Sequence, residues 1–165
     1  MKKKILLIIG FAFMLSLSAC ISNSNSTTSS ITIPSDDNPT TFTGDDDIMN
    51  KMLILKIDNE EIDVTWLDNN SVKALKELAK DGLTINMHEY GGFEQTGLIG
   101  KTITSNDTRI NVVPGDIVLY NSNQISIFYN NSSWSYTKLG HINMTKSKLT
   151  DLLAVDEVIV TLTLK

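Results

Sequence analysis

The sequence predicts a mainly β domain, a barrel or sandwich of about eight short strands with two short helices. Three observations predict it. From about Met49 onward, short segments alternate apolar and polar residues, the period of a half-buried strand. Clusters of Asn, Ser, Gly and Pro separate these segments, as tight turns require. The chain has 165 residues, 41% of them hydrophobic, which suits one core and one domain of ordinary size. Closure is favoured because an extracellular sheet with free edges templates aggregation.

The elements divide the chain into residues 1–19, 20–48 and 49–165. Met1-Lys2-Lys3-Lys4 is a positive n-region, and Ile5 to Ala19 is an apolar run of 15 residues. A membrane span needs roughly 20, so this length fits the h-region of a signal peptide. Leu17-Ser18-Ala19-Cys20 resembles the lipobox of bacterial lipoproteins. The resemblance implies that Cys20 receives a diacylglycerol and becomes the new N-terminus, anchoring the protein to a bacterial membrane outside the cytoplasm. Two or more acyl chains anchor stably, at roughly 0.8 kcal/mol per buried CH₂. The alternative is an ordinary secretory signal with a cysteine beside the cleavage site. Residues 20–48 are rich in Ser, Thr, Asn and Asp and read as a polar tether. As a flexible coil, its polar stretch spans about 25–30 Å. Asp45-Asp46-Asp47 lacks the spacing and the glycine of a calcium loop and reads as a solvated linker end.

Within 49–165, Met52–Ile57 and Ile62–Trp66 read as strands around Asp58-Asn59-Glu60-Glu61. Ile62, Val64 and Trp66 share one face. A helix follows, capped by Asn70 or Ser71, with Val72, Leu75, Leu78 and Ala79 on one stripe and Gly82 at its C-terminal turn. Leu83, Ile85 and Met87 face inward on the next strand. Tyr90 to Thr108 is polar and Gly-rich, a long loop or a set of short pieces. Arg109–Val113, Ile117–Tyr120, Gln124–Tyr129 and Trp134–Lys138 read as strands, the first two joined by a Pro114-Gly115-Asp116 turn. Thr145 caps a second helix with Leu149, Leu152 and Leu153 inward. Glu157–Leu164 alternates strictly and closes the domain.

Charge and cysteine usage exclude several functions. Cleavage before Cys20 leaves 11 basic and 19 acidic residues, a net charge of −8 with neutral histidines. Such a surface repels phosphate backbones, so nucleic acid is not an expected partner. It gains nothing from anionic lipid, so membrane attachment rests on the anchor. Cys20 is the only cysteine, so the folded region has no thiol chemistry and no disulfide. No cofactor is implied, and a monomer is expected.

One set of motifs is more specific. Tyr90-Gly91-Gly92-Phe93-Glu94, Asn106-Asp107, Pro114-Gly115-Asp116-Ile117-Val118-Leu119-Tyr120, Ile127-Phe128-Tyr129 and Trp134-Ser135-Tyr136-Thr137-Lys138-Leu139-Gly140 together resemble the bacterial cyclophilin-like domain family. The resemblance covers Met52 to Lys165. It implies a closed eight-stranded antiparallel barrel with a helix at each end. It does not carry activity across. Active members have Phe-His-Arg, Gln-Gly-Gly-Asp and Gly-Thr-Gly-Gly stretches, and none occurs here. The sole arginine, Arg109, sits in Asp107-Thr108-Arg109-Ile110. Isomerisation rests on stabilising a twisted amide by a few placed donors, so no catalytic residue is assigned.

The candidate ligand-binding residues are Tyr90, Phe93, Glu94, Arg109, Tyr129, Trp134 and Tyr136, each with a structural alternative. Tyr129, Trp134 and Tyr136 form either an aromatic platform or cross-strand packing. Tyr90-Gly91-Gly92-Phe93-Glu94 is either a binding loop anchored by Phe93 or a turn whose Phe93 plugs the barrel end. Arg109 meets either a ligand carboxylate or one of Asp107, Asp116 and Glu94. His88 belongs to the polar face of its strand, and His141 has no partner evident in sequence. Glu89 and Glu94 pair as acid and base only on grounds of proximity. No metal-ligand motif occurs. Three functions stay open: a cell-surface binding module for a peptide, protein or small molecule, with a loop-lined pocket at one barrel end; a weak or divergent prolyl isomerase; and a barrel that docks another envelope protein.

Overall fold

The computed structural model describes residues 45–165. The expected signal segment, Cys20 and the tether up to Gly44 lie outside the described residues. A short helix, α1 (Asp45–Asn50), precedes three strands, β1 (Leu53–Ile57), β2 (Glu60–Ile62) and β3 (Val64–Trp66). Helix α2 (Asn70–Leu78) follows, then β4 (Leu83–Tyr90), β5 (Glu94–Leu98), β6 (Thr108–Val112), β7 (Asp116–Tyr120), β8 (Gln124–Phe128) and β9 (Ser132–Ile142). Helix α3 (Lys146–Leu153) and β10 (Glu157–Leu164) complete the domain.

Neighbouring strands run in the order β2-β1-β10-β4-β5-β8-β7-β9-β3, all antiparallel. The two ends of this path, β2 and β3, are separated in sequence only by Asp63. One bent segment therefore joins both edges, and the sheet curls into a nearly closed barrel. The indole Nε1 of Trp66 fastens the seam by donating to the Leu53 carbonyl at 2.8 Å. The strand expected over Ile62–Trp66 is thus two ladders broken at Asp63, Glu60–Ile62 with β1 and Val64–Trp66 with β9. Ten strands occupy eight ring positions: β2 and β3 share one, and β6 pairs only with β9. The fold class read from sequence, a mainly β antiparallel barrel with short helices, holds.

Two further expectations are corrected, and one left open between two alternatives is resolved. The cap of α2 is Asn69, one residue before Asn70 or Ser71. Its backbone is extended and its Oδ1 accepts from the Val72 amide at 2.9 Å. The stretch Tyr90–Thr108 contains β5, which pairs with β4 on one side and β8 on the other. Strand β9 extends well beyond Trp134–Lys138, and its ladder with β7 is irregular beside Leu139.

Burial separates two cores. The barrel interior holds Leu55, Ile57, Ile85, Met87, Ile117, Leu119, Ile125, Ile127 and their neighbours, with Leu75 of α2 and Leu149 and Leu153 of α3. A second cluster, Val112, Val118, Phe128 and Tyr136, lies on the other face of β7 and β8. The split follows the two-residue period of a strand: Ile125 and Ile127 point into the barrel, Ser126 and Phe128 away from it. The outer cluster stays dry because the first half of β9, Ser132–Tyr136, pairs with β6 and covers it.

Candidate functional site

The outward face of β5, β8 and β7 carries a cavity of about 470 Å³. Glu94 and Thr96 come from β5, Gln124 and Ser126 from β8, and Tyr120 from β7. Each set has the two-residue spacing of one strand face. Ser132, Ser133, Trp134 and Tyr136 of β9 form the facing wall, and Tyr90 and Phe93 close one end. The volume is in the range of pockets that bury a small organic ligand.

Five rings pack in a continuous chain here. Tyr90 meets Phe93 edge-on at 5.9 Å, and Phe93 stacks on Phe128 at 6.1 Å. Phe128 meets Tyr136 at 5.6 Å, and Tyr136 meets Tyr120 at 5.9 Å, both edge-on. Aromatic pairs prefer these offset and edge geometries. Phe128 is fully buried behind the lining, while Tyr90 and Trp134 are more than half exposed.

The Phe93 ring is held by its turn. Gly91 and Gly92 both take positive φ, 66° and 76°. A side chain on Gly91 would collide with the Phe93 ring. Glu89 Oε1 accepts from the Gly92 amide at 2.6 Å, and the Phe93 carbonyl accepts from the Tyr129 amide at 3.0 Å.

A polar strip crosses the cavity. Ser126 Oγ donates to Thr96 Oγ1 at 2.9 Å, and Gln124 Nε2 donates to the same oxygen at 2.6 Å. Beside them Glu94 is only 6% exposed, and its Oε2 has no hydrogen-bond partner. Burial pushes the Glu94 carboxyl above its usual range, partly offset by Ser126. The Tyr136 phenol is raised as well, first by burial and then by the nearby Glu94 charge.

Five of the seven candidate residues therefore line one cavity: Tyr90, Phe93, Glu94, Trp134 and Tyr136. Tyr129 and Arg109 stand elsewhere. Tyr129 belongs to the barrel interior, and its hydroxyl donates to Glu89 Oε1 at 2.8 Å. Burial and this acceptor push its phenol up to about 12. Arg109 is exposed and faces Ser135 across the β6–β9 ladder, one step from the Ile110–Trp134 pair. Alternation turns it away from Trp134. Among the described residues it makes no ion pair with Asp107, Asp116 or Glu94. Glu89 and Glu94 form no acid–base couple, since Glu94 pairs with Tyr90 and Glu89 with Gln95, on opposite faces of the ladder.

His88 is exposed beside Glu157, Nδ1 to Oε1 3.2 Å. His141 has the partner that sequence left unnamed: its Nδ1 lies 2.8 Å from Asp116 Oδ1. Lys138 Nζ sits at 2.8 Å from the same oxygen, and the Val113 amide donates to Asp116 Oδ2 at 3.2 Å. Burial pushes the Asp116 carboxyl up, but these donors together outweigh it and hold it below the usual range. The cluster pins the Pro114-Gly115 turn to β9. No group of three or more His, Cys, Asp or Glu suited to a metal ion occurs among the described residues.

Sequence reading missed Thr96, Tyr120, Gln124, Ser126, Ser132 and Ser133. One signal was present: Ile117-Val118-Leu119-Tyr120 is apolar on both faces, which requires a cover on each side of β7. The cavity lies on the flank of the barrel, lined by strands, not in loops at its end.

Fold and cavity define a small antiparallel barrel with one interior core and a roofed aromatic recess on its outer wall. A model of the Cyclophilin-like family matches residues 55–164, two-thirds of the chain. The chain belongs to the cyclophilin-like family. No curated protein and no solved structure matches it.

Proposed function

We propose that this protein is a lipid-anchored binding module of the bacterial cell envelope, whose cyclophilin-like domain holds a ligand in the flank cavity without isomerase activity. The observation that carries the reading is the convergence of Tyr90, Phe93, Trp134, Tyr136 and Glu94 on one recess. Exposed aromatic rings at the mouth of a recess suit an anchor for a ligand. The missing isomerase activity is supported by the position of Arg109, which is turned away from Trp134 and does not line the cavity. The anchor reading rests on the sequence around Cys20. No helix among the described residues is long and apolar enough to cross a membrane.

Thermal shift against peptide, glycan and metabolite libraries tests the binding reading. Stabilisation by at least one class is expected, and its loss in Trp134→Ala locates the ligand. No stabilisation by any class would sink the pocket. A protease-coupled prolyl peptide assay is expected to stay at the background rate, and turnover above it would restore the enzyme reading. Cys20→Ala is expected to move the protein from the detergent phase to the aqueous phase on partitioning.

A further inference from the structure

The flank cavity contains one charged group and nothing to neutralise it. Glu94 is 94% buried, taking its 6% exposure as the remainder, and Oε2 is unpartnered. No Lys, Arg or His lines the cavity. A buried carboxylate without a counter-charge is costly to ionise, and a cationic partner entering the cavity would offset that cost. The rest of the lining narrows what that partner is. Ser126 Oγ and one N–H of Gln124 donate to Thr96, so the strip beside Glu94 is hydrogen-bonded within itself and brings no cationic donor to the carboxylate. Around it stand the rings of Tyr90, Phe93, Trp134 and Tyr136, whose faces attract a cation through their quadrupoles.

Resting on the binding-module reading, we propose that the cavity takes an aliphatic ammonium group, whose N–H bonds donate to Glu94 while its alkyl stem lies against the aromatic wall. The site thus supplies what an amine needs on leaving water: an acceptor for its hydrogen bonds and π faces for its charge. The same chemistry is present in a free alkylamine and in a lysine side chain of a peptide. The net negative charge of the chain outside the signal segment draws either one inward.

The test titrates the full chain in detergent micelles, read by Trp fluorescence and calorimetry. The probes are n-butylamine, its neutral isostere 1-butanol, an N-terminally acetylated Gly-Lys-Gly peptide and the same peptide acetylated on lysine as well. The ammonium forms are expected to bind at least ~10-fold more tightly than their neutral counterparts, the scale of one charge-assisted hydrogen bond. Glu94→Gln should erase that preference and leave weak binding of the neutral probes in place. A stronger peptide than free amine assigns a lysine side chain; the reverse assigns a small amine.

A second readout needs no variant. Amine affinity should fall as the solution is acidified through the titration of Glu94. The other titratable groups facing it are the phenols of Tyr90, Tyr120 and Tyr136, and no second carboxyl or imidazole lines the cavity. Equal binding of butanol and butylamine would overturn the ammonium proposal while leaving the cavity a binding site. Affinity that rises on acidification would also overturn it, since Glu94 would then act as a donor. Silence from all four probes, with stabilisation by some other library class, overturns the ammonium class alone. Silence from every ligand removes the binding reading with it.

Discussion

Asp116 is 1% exposed, and three donors converge on it from the Val113 amide, Lys138 and His141. Replacing it by Asn keeps the shape and removes the charge. Lys138 and His141 are each about 40% exposed, so both regain water when the carboxylate is lost. The cost therefore belongs at the low end for a broken buried pair, about 2–3 kcal/mol. Its sign with pH follows from the direction of the shift. The folded-state pKa lies below the unfolded one, so the contribution is complete above the ordinary carboxylate range. It is lost as pH falls through the folded value. Thermal denaturation of both proteins from pH 7 down to pH 3 should show the gap narrowing below about pH 4. A gap of constant size would trace the effect to packing instead of charge.

At the scale of elements, Asn69 does two jobs. Its Oδ1 caps α2, and its Nδ2 donates to the Lys138 carbonyl at 3.0 Å, tying the helix to β9. Asn69→Ala should cost about 1 kcal/mol for the cap and up to ~1 kcal/mol more for the tie. Asn69→Asp keeps the acceptor and loses the donor, so it should recover only the first part. Urea midpoints at unchanged slope would measure this, and equal midpoints for the two variants would assign the whole effect to one bond. The helix is legible in sequence because its stripe repeats with helical period, whereas the cap falls at Asn69, just ahead of the two expected candidates Asn70 and Ser71. Strand β5 was not legible for a different reason. Glu94-Gln95-Thr96-Gly97-Leu98 has weak strand propensity, and pairing on both sides imposes its conformation. Gly97 fits because a Cβ there would stand 2.7 Å from the Asn86 carbonyl oxygen. Two walls of the cavity depend on this kind of long-range pairing, so the cavity surfaced in sequence only as scattered aromatics and one acid.

At the scale of the whole domain, the ring depends on β10, which lies between β1 and β4. Leu53 pairs with Leu164 across 111 residues, so neither β1 nor β4 gains its second neighbour until the last strand docks. The alternation of Glu157–Leu164 made this strand legible, but which two strands it joins is a matter of topology that local pattern does not encode. Val158, Val160 and Leu162 are all within 2% of full burial. At about 1.5–3 kcal/mol each, they contribute roughly 5–9 kcal/mol, comparable to the entire stability of an ordinary domain. Without β10 the interior opens along its length and two strand edges lie bare, which invites association. Removal of residues 156–165 is therefore expected to abolish the cooperative thermal transition and the near-ultraviolet dichroism of the aromatic residues, with aggregation at micromolar concentration. Removal of residues 21–44 serves as the control and should leave both signals intact. A cooperative transition surviving the loss of β10 would mean that the remaining strands hold together as an open sheet, and the closed ring would not be the source of stability.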